Sequence, residues 1–148
     1  MTRINTGRHI ASYGDGLVVF LIGMRMNRLW KLHRWLPVVV AMGRMLAHLS
    51  RHPDRGLLGY RFLLEGKGVT LIQYWRDEES LYRFAREADD PHRPAWLDFY
   101  RRHGRSSDVG LWHEVHPVAP GAAHGMYVDM PGIGLGRIGQ LAPAGRRG

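Results

Sequence analysis

No cysteine occurs in the 148 residues. Its absence excludes a disulfide framework and thiolate-based zinc or iron–sulfur sites, and it suits a reducing compartment such as the cytoplasm. Acidic residues are scarce. Thirteen Asp and Glu stand against 21 Lys and Arg, for a formal charge of +8 and a pI near 10.6. Long apolar runs are missing too. The longest, Leu17 to Met24, is eight residues, whereas a membrane-spanning helix needs about 20. The first sixteen residues are polar and carry no signal-peptide core. These absences predict a soluble, cytoplasmic protein without a membrane partner. The serines (Ser12, Ser50, Ser80, Ser106, Ser107) fall in no nucleophile-elbow pattern, so nothing indicates an acyl enzyme.

What is present reads as one domain of ordinary size, with a hydrophobic share of 45% that is globular rather than disordered. The hydrophobic periodicity divides it into a polar lead-in (residues 1–16), a folded core (17–118) and a Gly/Pro-rich C-terminal extension (119–148). Leu17-Val-Val-Phe-Leu-Ile-Gly-Met24 is β-branched and aromatic, and predicts a buried strand. Pro37 suits the first turn of a helix running to about Arg51. Val38, Met42, Met45 and Leu49 form its apolar stripe, widened by Leu36, Val39, Val40, Gly43 and Leu46. Leu57–Glu65 and Val69–Trp75 read as strands joined at Gly66-Lys67-Gly68. Alternation puts Val69, Leu71, Gln73 and Trp75 on one face. Asp77 is placed to cap the next helix, with Leu81, Phe84, Ala85 and Ala88 as its buried stripe. A short helix is predicted from Pro94, and a fourth strand from Val109 to Val118.

This order is strand, helix, strand, strand, helix, short helix, strand. It is the ferredoxin-like split-βαβ arrangement of an α+β protein with a four-stranded antiparallel sheet. With helices on one face, the other needs a cover, and a second copy of the chain is the economical one. A homodimer is therefore expected.

Gly134-Leu-Gly136-Arg-Ile-Gly139 matches a dinucleotide pattern. The chain ends too soon after it for a second strand or a ribose-binding acid, so it reads instead as a glycine-rich segment that wraps a neighbour. Nine histidines invite a metal site. However, His113 and His116 on one strand face opposite sides and cannot chelate one ion together, and His113-Glu114 lacks a second helical His. Tryptophan at a strand end, followed at once by a capped helix, sets an indole at the rim of a sheet and can floor a pocket for a flat molecule. Trp75, Trp96, Phe99 and Trp112 are its candidate walls. Arg25, Asn27, Gln73, His92, His113 and Glu114 are its candidate polar contacts.

Ile72-Gln-Tyr-Trp75-Arg-Asp-Glu-Glu-Ser80, Pro91-His92-Arg-Pro-Ala-Trp96, Val109-Gly-Leu-Trp-His-Glu114 and Met126-Tyr-Val-Asp-Met-Pro131-Gly-Ile-Gly-Leu-Gly136 carry a resemblance. The chain resembles the antibiotic-biosynthesis monooxygenase superfamily, whose fold is the dimeric α+β barrel, and within it the fumagillin-pathway monooxygenase-like subfamily. The resemblance implies a small oxygenase acting on an aromatic, polyketide-like or terpenoid-like substrate with O2, without flavin or metal. A substrate carbanion or enolate would react directly with oxygen. By position, Trp75 would shape the pocket, Asn27 would lie near the oxygen, His92 would be the base and Arg25 would hold an enolate.

Three other readings stay open. A haem-binding member of the fold, of the haem-degrading or aldoxime-dehydrating kind, would use His92 or His113 as axial ligand. A non-catalytic ligand-binding or accessory protein would share the pocket. A nucleic-acid binder would use the basic, Trp-containing segment Arg25–Arg34, though the spread of basic charge along the chain favours an ordinary solvated surface.

Overall fold

The structure, a computed structural model, describes residues 2–86 and 107–145. Its strands are β1 (Asn5–Tyr13), β2 (Leu17–Met26), β3 (Leu57–Glu65), β4 (Gly68–Trp75), β5 (Val109–Val118), β6 (Ala123–Met130) and β7 (Gln140–Pro143). Its helices are α1 (Leu32–Arg51), α2 (Glu78–Arg86) and the one-turn α3 (Leu135–Ile138), with a 3-10 turn at Pro53–Arg55. Four strands form an antiparallel sheet in the order β3-β4-β2-β5, and three form a second sheet in the order β6-β1-β7. The α+β, ferredoxin-like expectation is met by the first sheet and the two longer helices.

The period-2 pattern decides the faces. Val18, Ile22 and Met24 of β2 and Val69, Leu71 and Trp75 of β4 point to the helices and are buried. From α1, Val38, Met42, Leu46 and Leu49 meet them. Each such side chain contributes roughly 1.5–3 kcal/mol by leaving water. Leu36 and Val40, expected to widen this stripe, are instead exposed.

The helix also begins earlier than Pro37. Upstream turns supply the extra length: Arg34 N–H donates to Lys31 O at 2.9 Å, and the Trp35 indole N–H donates to Leu29 O at 3.0 Å. In α2, Leu81 is buried and Phe84 half-buried, while Ala85 is exposed. Ala88 and the helix expected from Pro94 lie outside the described residues.

The β3–β4 hairpin turns at Gly66, whose φ of 51° is a left-handed conformation that glycine adopts without strain.

The ends of the chain carry more regular structure than expected, although a short strand and turn within Gly125–Gly132 is legible in the sequence and falls in β6. The polar lead-in contains β1, and the extension contains β6, α3 and β7. β1 lies between β6 and β7, with Ile10 opposite both Met126 and Ala142. Ala11 is wholly buried there. The helix-free face of the larger sheet is in turn partly covered within the chain. Ile138 of α3 sits where a Cβ on Gly59 would fall, and Gly134 sits against the Tyr74 hydroxyl. Tyr127 closes the joint: its hydroxyl donates to Ile133 O at 2.9 Å and accepts from Gly136 N–H at 3.1 Å. Thus Gly134–Gly139 spans a packing turn. Burial raises the Tyr74 phenol above its ordinary value. Nearby Tyr127 adds to the rise, and Arg61 opposes it.

Candidate active site

Trp75 ends β4 on the helix face with no exposed surface. It is therefore not at the rim but under cover. The Phe84 ring lies over it, with centroids 5.8 Å apart. Its indole N–H donates to Gln73 Oε1 at 2.8 Å. Gln73, two residues earlier, shares the face and is 2% exposed. Across the strands, Val18 pairs with Trp75 and Phe20 with Gln73. Phe20 packs against both parts of the core and remains half-buried. On the outer strand β5, Val115 lies opposite Phe20, and His113 lies opposite Ile22. The His113 and Phe20 rings are 5.9 Å apart. Trp75, Phe84 and Phe20 are thus aromatic neighbours on one sheet face, with exposed His113 beside them.

The turn after Trp75 is tightly held. Asp77 Oδ1 accepts the Ser80 N–H at 2.6 Å, capping α2. This bond and one from the Ser80 hydroxyl, with a lesser one from Arg76, hold its carboxyl below the usual range against a partly opposing desolvation. Arg76 N–H donates to Gly56 O at 2.8 Å, and Arg76 Nη2 donates to Ser80 Oγ at 3.1 Å. Asp54, Arg55, Ser80, Arg83 and Phe84 line a small polar cavity of about 190 Å³ beside this turn.

The other sequence candidates lie elsewhere. Arg25 lies at the far end of β2, where it pairs with Gly68, and Asn27 follows just past the strand. Seven positions separate Arg25 from Val18, roughly 23 Å along an extended strand. Their side chains bind locally: Arg25 Nη1 donates to Asn27 Oδ1 at 2.7 Å, and Asn27 Nδ2 donates to Ser107 O at 3.0 Å. Trp112 and Glu114 face the opposite side of the sheet. The Trp112 indole occupies the space where a Cβ on Gly23 would fall. Glu114 pairs with His116 at 3.0 Å, on the face away from His113 as the spacing predicted. His92, Trp96 and Phe99 lie outside the described residues. Among the described residues, no group of three His, Asp or Glu could hold a metal ion, and no helix is long and apolar enough to cross a membrane.

Two features went unread in the sequence. Phe84, read only as part of the buried stripe of α2, and Phe20 pack beside Trp75 on the helix face. Their signals are alternation with Val18 and Ile22, and an i, i+3 spacing from Leu81. Asp108, with its side chain 4% exposed, gathers Arg28 at 3.0 Å, Lys31 at 3.1 Å and Arg34 at 3.9 Å. Hydrogen bonds from Lys31, then the nearby charges of Lys31, Arg28 and Arg34, lower its pKa despite desolvation. The basic segment that invited a nucleic-acid reading thus spends three of its cations on an internal carboxylate.

The sequence model of the family described as "Monooxygenase af470-like" matches residues 17–135. The chain belongs to that family. Monooxygenase af470 of Aspergillus fumigatus is 33% identical over 142 residues, covering 88% of this chain and 50% of its own length. Among solved structures, aldoxime dehydratase in complex with butyraldoxime superposes with a TM-score of 0.71 at 18% identity, covering 93% of this chain and 43% of the dehydratase. SnoaB, a cofactor-independent oxygenase from Streptomyces nogalater, gives a TM-score of 0.47 at 17% identity, covering 69% of this chain and 92% of its own. At such identity the dehydratase likeness establishes the ferredoxin-like α+β fold alone. This member of the monooxygenase af470-like family spans about half the length of both monooxygenase af470 and the dehydratase.

Proposed function

We propose that the chain is a small monooxygenase whose cleft holds a planar aromatic or polyketide-like substrate against the helix face of the sheet. The observation that carries this reading is the aromatic cluster of Trp75, Phe84 and Phe20 packed on the helix face of a monooxygenase-family fold. The substrate class it fits has an activated methylene beside a conjugated carbonyl. Removal of a proton gives an enolate, and the carbanion carbon bonds to O2. One oxygen atom stays on that carbon as a new ketone. The other leaves as water with the two methylene hydrogens, and the substrate supplies the electrons. The residues' part is to bind and orient the ring system, move a proton and stabilise the anion.

His113 and His92 are the base candidates, since a neutral imidazole nitrogen can accept a proton. His113 has the support of standing beside Phe20. Arg25 and Asn27 are far from Trp75 along β2, which argues for a supporting role at the β2 end. Trp96 and Phe99 remain candidate wall residues. A second copy of the chain is the proposed partner. It would pack on the helix-free face around Trp112 and Glu114, beyond the area that α3 covers.

Oxygen uptake by purified protein, with a panel of aromatic ketones bearing an activated methylene, tests the reaction. Stoichiometric uptake without added flavin or metal is expected. It should fall at least about tenfold in Trp75→Phe and in one of His113→Ala or His92→Ala. A Soret band in the active protein would replace the cofactor-free reading with the haem one, and wild-type activity in all three variants would remove this site from the reaction.

A further inference from the structure

Gln73 has only one end of its amide satisfied. Oε1 accepts the Trp75 indole N–H at 2.8 Å. An indole nitrogen only donates, so this contact fixes which end of the amide is oxygen. The Nε2 group, with two N–H donors, is closed off from solvent and finds no acceptor among the described residues. Its neighbours on the helix face are Phe20 and Tyr60 across the strands and Leu71 and Trp75 along β4. An amide donor buried among aromatic and aliphatic groups without a partner is unfavourable, and such groups are rare in folded proteins. Replacing Gln73 by a leucine-like residue would remove this donor but would strand the Trp75 N–H.

We infer that Gln73 Nε2 is a binding donor for an acceptor oxygen on the planar ligand, and that Trp75 is the positioning residue that orients the amide. The inference rests on the reading of this face as a substrate cleft, and it narrows the substrate class. The ligand carries a hydroxyl or ketone oxygen conjugated with its ring system. Phe20, half-buried across the strands from Gln73 and beside Val115 on the outer strand, is the side chain that has to turn aside to admit that oxygen. As the ring system loses a proton, negative charge grows on the oxygen and the hydrogen bond to it strengthens. A bare hydrocarbon of the same shape gains nothing from Gln73.

Calorimetric titration of the full chain with 2-naphthol and with naphthalene tests this. Wild type is expected to bind 2-naphthol about tenfold tighter, the contribution of one good hydrogen bond. Gln73→Glu, titrated where its carboxyl is ionised, keeps an acceptor for the Trp75 N–H but removes the donor. Gln73→Met keeps the chain length and removes both, and it serves if the glutamate variant does not fold. In either variant the preference is expected to vanish while naphthalene affinity stays within about twofold. Trp75→Phe is expected to weaken the preference with Gln73 still present. A preference that survives in the Gln73 variants overturns the donor role. Equal binding of both probes by wild type overturns the donor role and leaves the cleft standing. Binding of neither overturns both.

Discussion

The Trp75 indole and the Gln73 amide form a closed pair, joined at 2.8 Å and shut off from water. Neither is a neutral choice for a core, because each brings an N–H into an apolar layer. Trp75→Phe leaves both ends of the Gln73 amide unpaired. Adding Gln73→Leu removes that burden. The double variant is therefore expected to be more stable than the sum of the single changes by about 1–2 kcal/mol. Urea unfolding of the four proteins in the cycle measures it, and additive effects would mean the pair does not act as a unit.

The cap at Asp77 fixes the turn that follows Trp75. Asp77→Ala should cost about 1 kcal/mol of stability, the usual worth of such a cap. The carboxyl's pKa is lowered in the folded state, so its contribution is present above the unfolded value of about 3.9. It is lost as pH falls through the lower, folded value. Unfolding midpoints of wild type and Asp77→Ala are thus expected to differ at pH 7 and to converge in acid.

Asp108, just before β5, is tied to Arg28 and Lys31 ahead of α1 and to Arg34 in that helix's first turn. Asp108→Asn leaves Arg28, Lys31 and Arg34 to repel one another. A lower melting temperature is expected, with part of the loss recovered in high salt, where repulsion is screened. The lowered pKa of this carboxyl works in the same direction as that of Asp77, and its contribution is lost as the solution becomes acid. Thermal melts at two salt concentrations distinguish a charge effect from loss of packing.

At Gly23, β2 accommodates only glycine under the Trp112 indole, since any Cβ would fall within the ring. Gly23→Ala is expected to displace the indole and destabilise the chain by about 1–3 kcal/mol. Trp112 stands on the helix-free face, so the same change is expected to weaken self-association of a second copy bound there. Tryptophan emission reads the first effect. Light scattering against concentration reads the second.

Local pattern determined the first sheet. Alternation from Val69 to Trp75 set Gln73 and Trp75 on one face, the i, i+4 stripe from Val38 to Met42 set the buried side of α1, and the Asp77 cap set the start of α2. These are readable because each depends on residues a few positions apart, and backbone geometry repeats at those spacings. Tertiary structure alone decided what has no such period. It paired β1 with β6, bringing Asn5 opposite Met130, and placed α3 over Gly59 and Tyr74. It gathered three cations on Asp108 and held Arg25 and Asn27 a strand's length from Trp75. Such contacts depend on where distant strands meet, a matter of register and packed shape rather than of neighbouring residues.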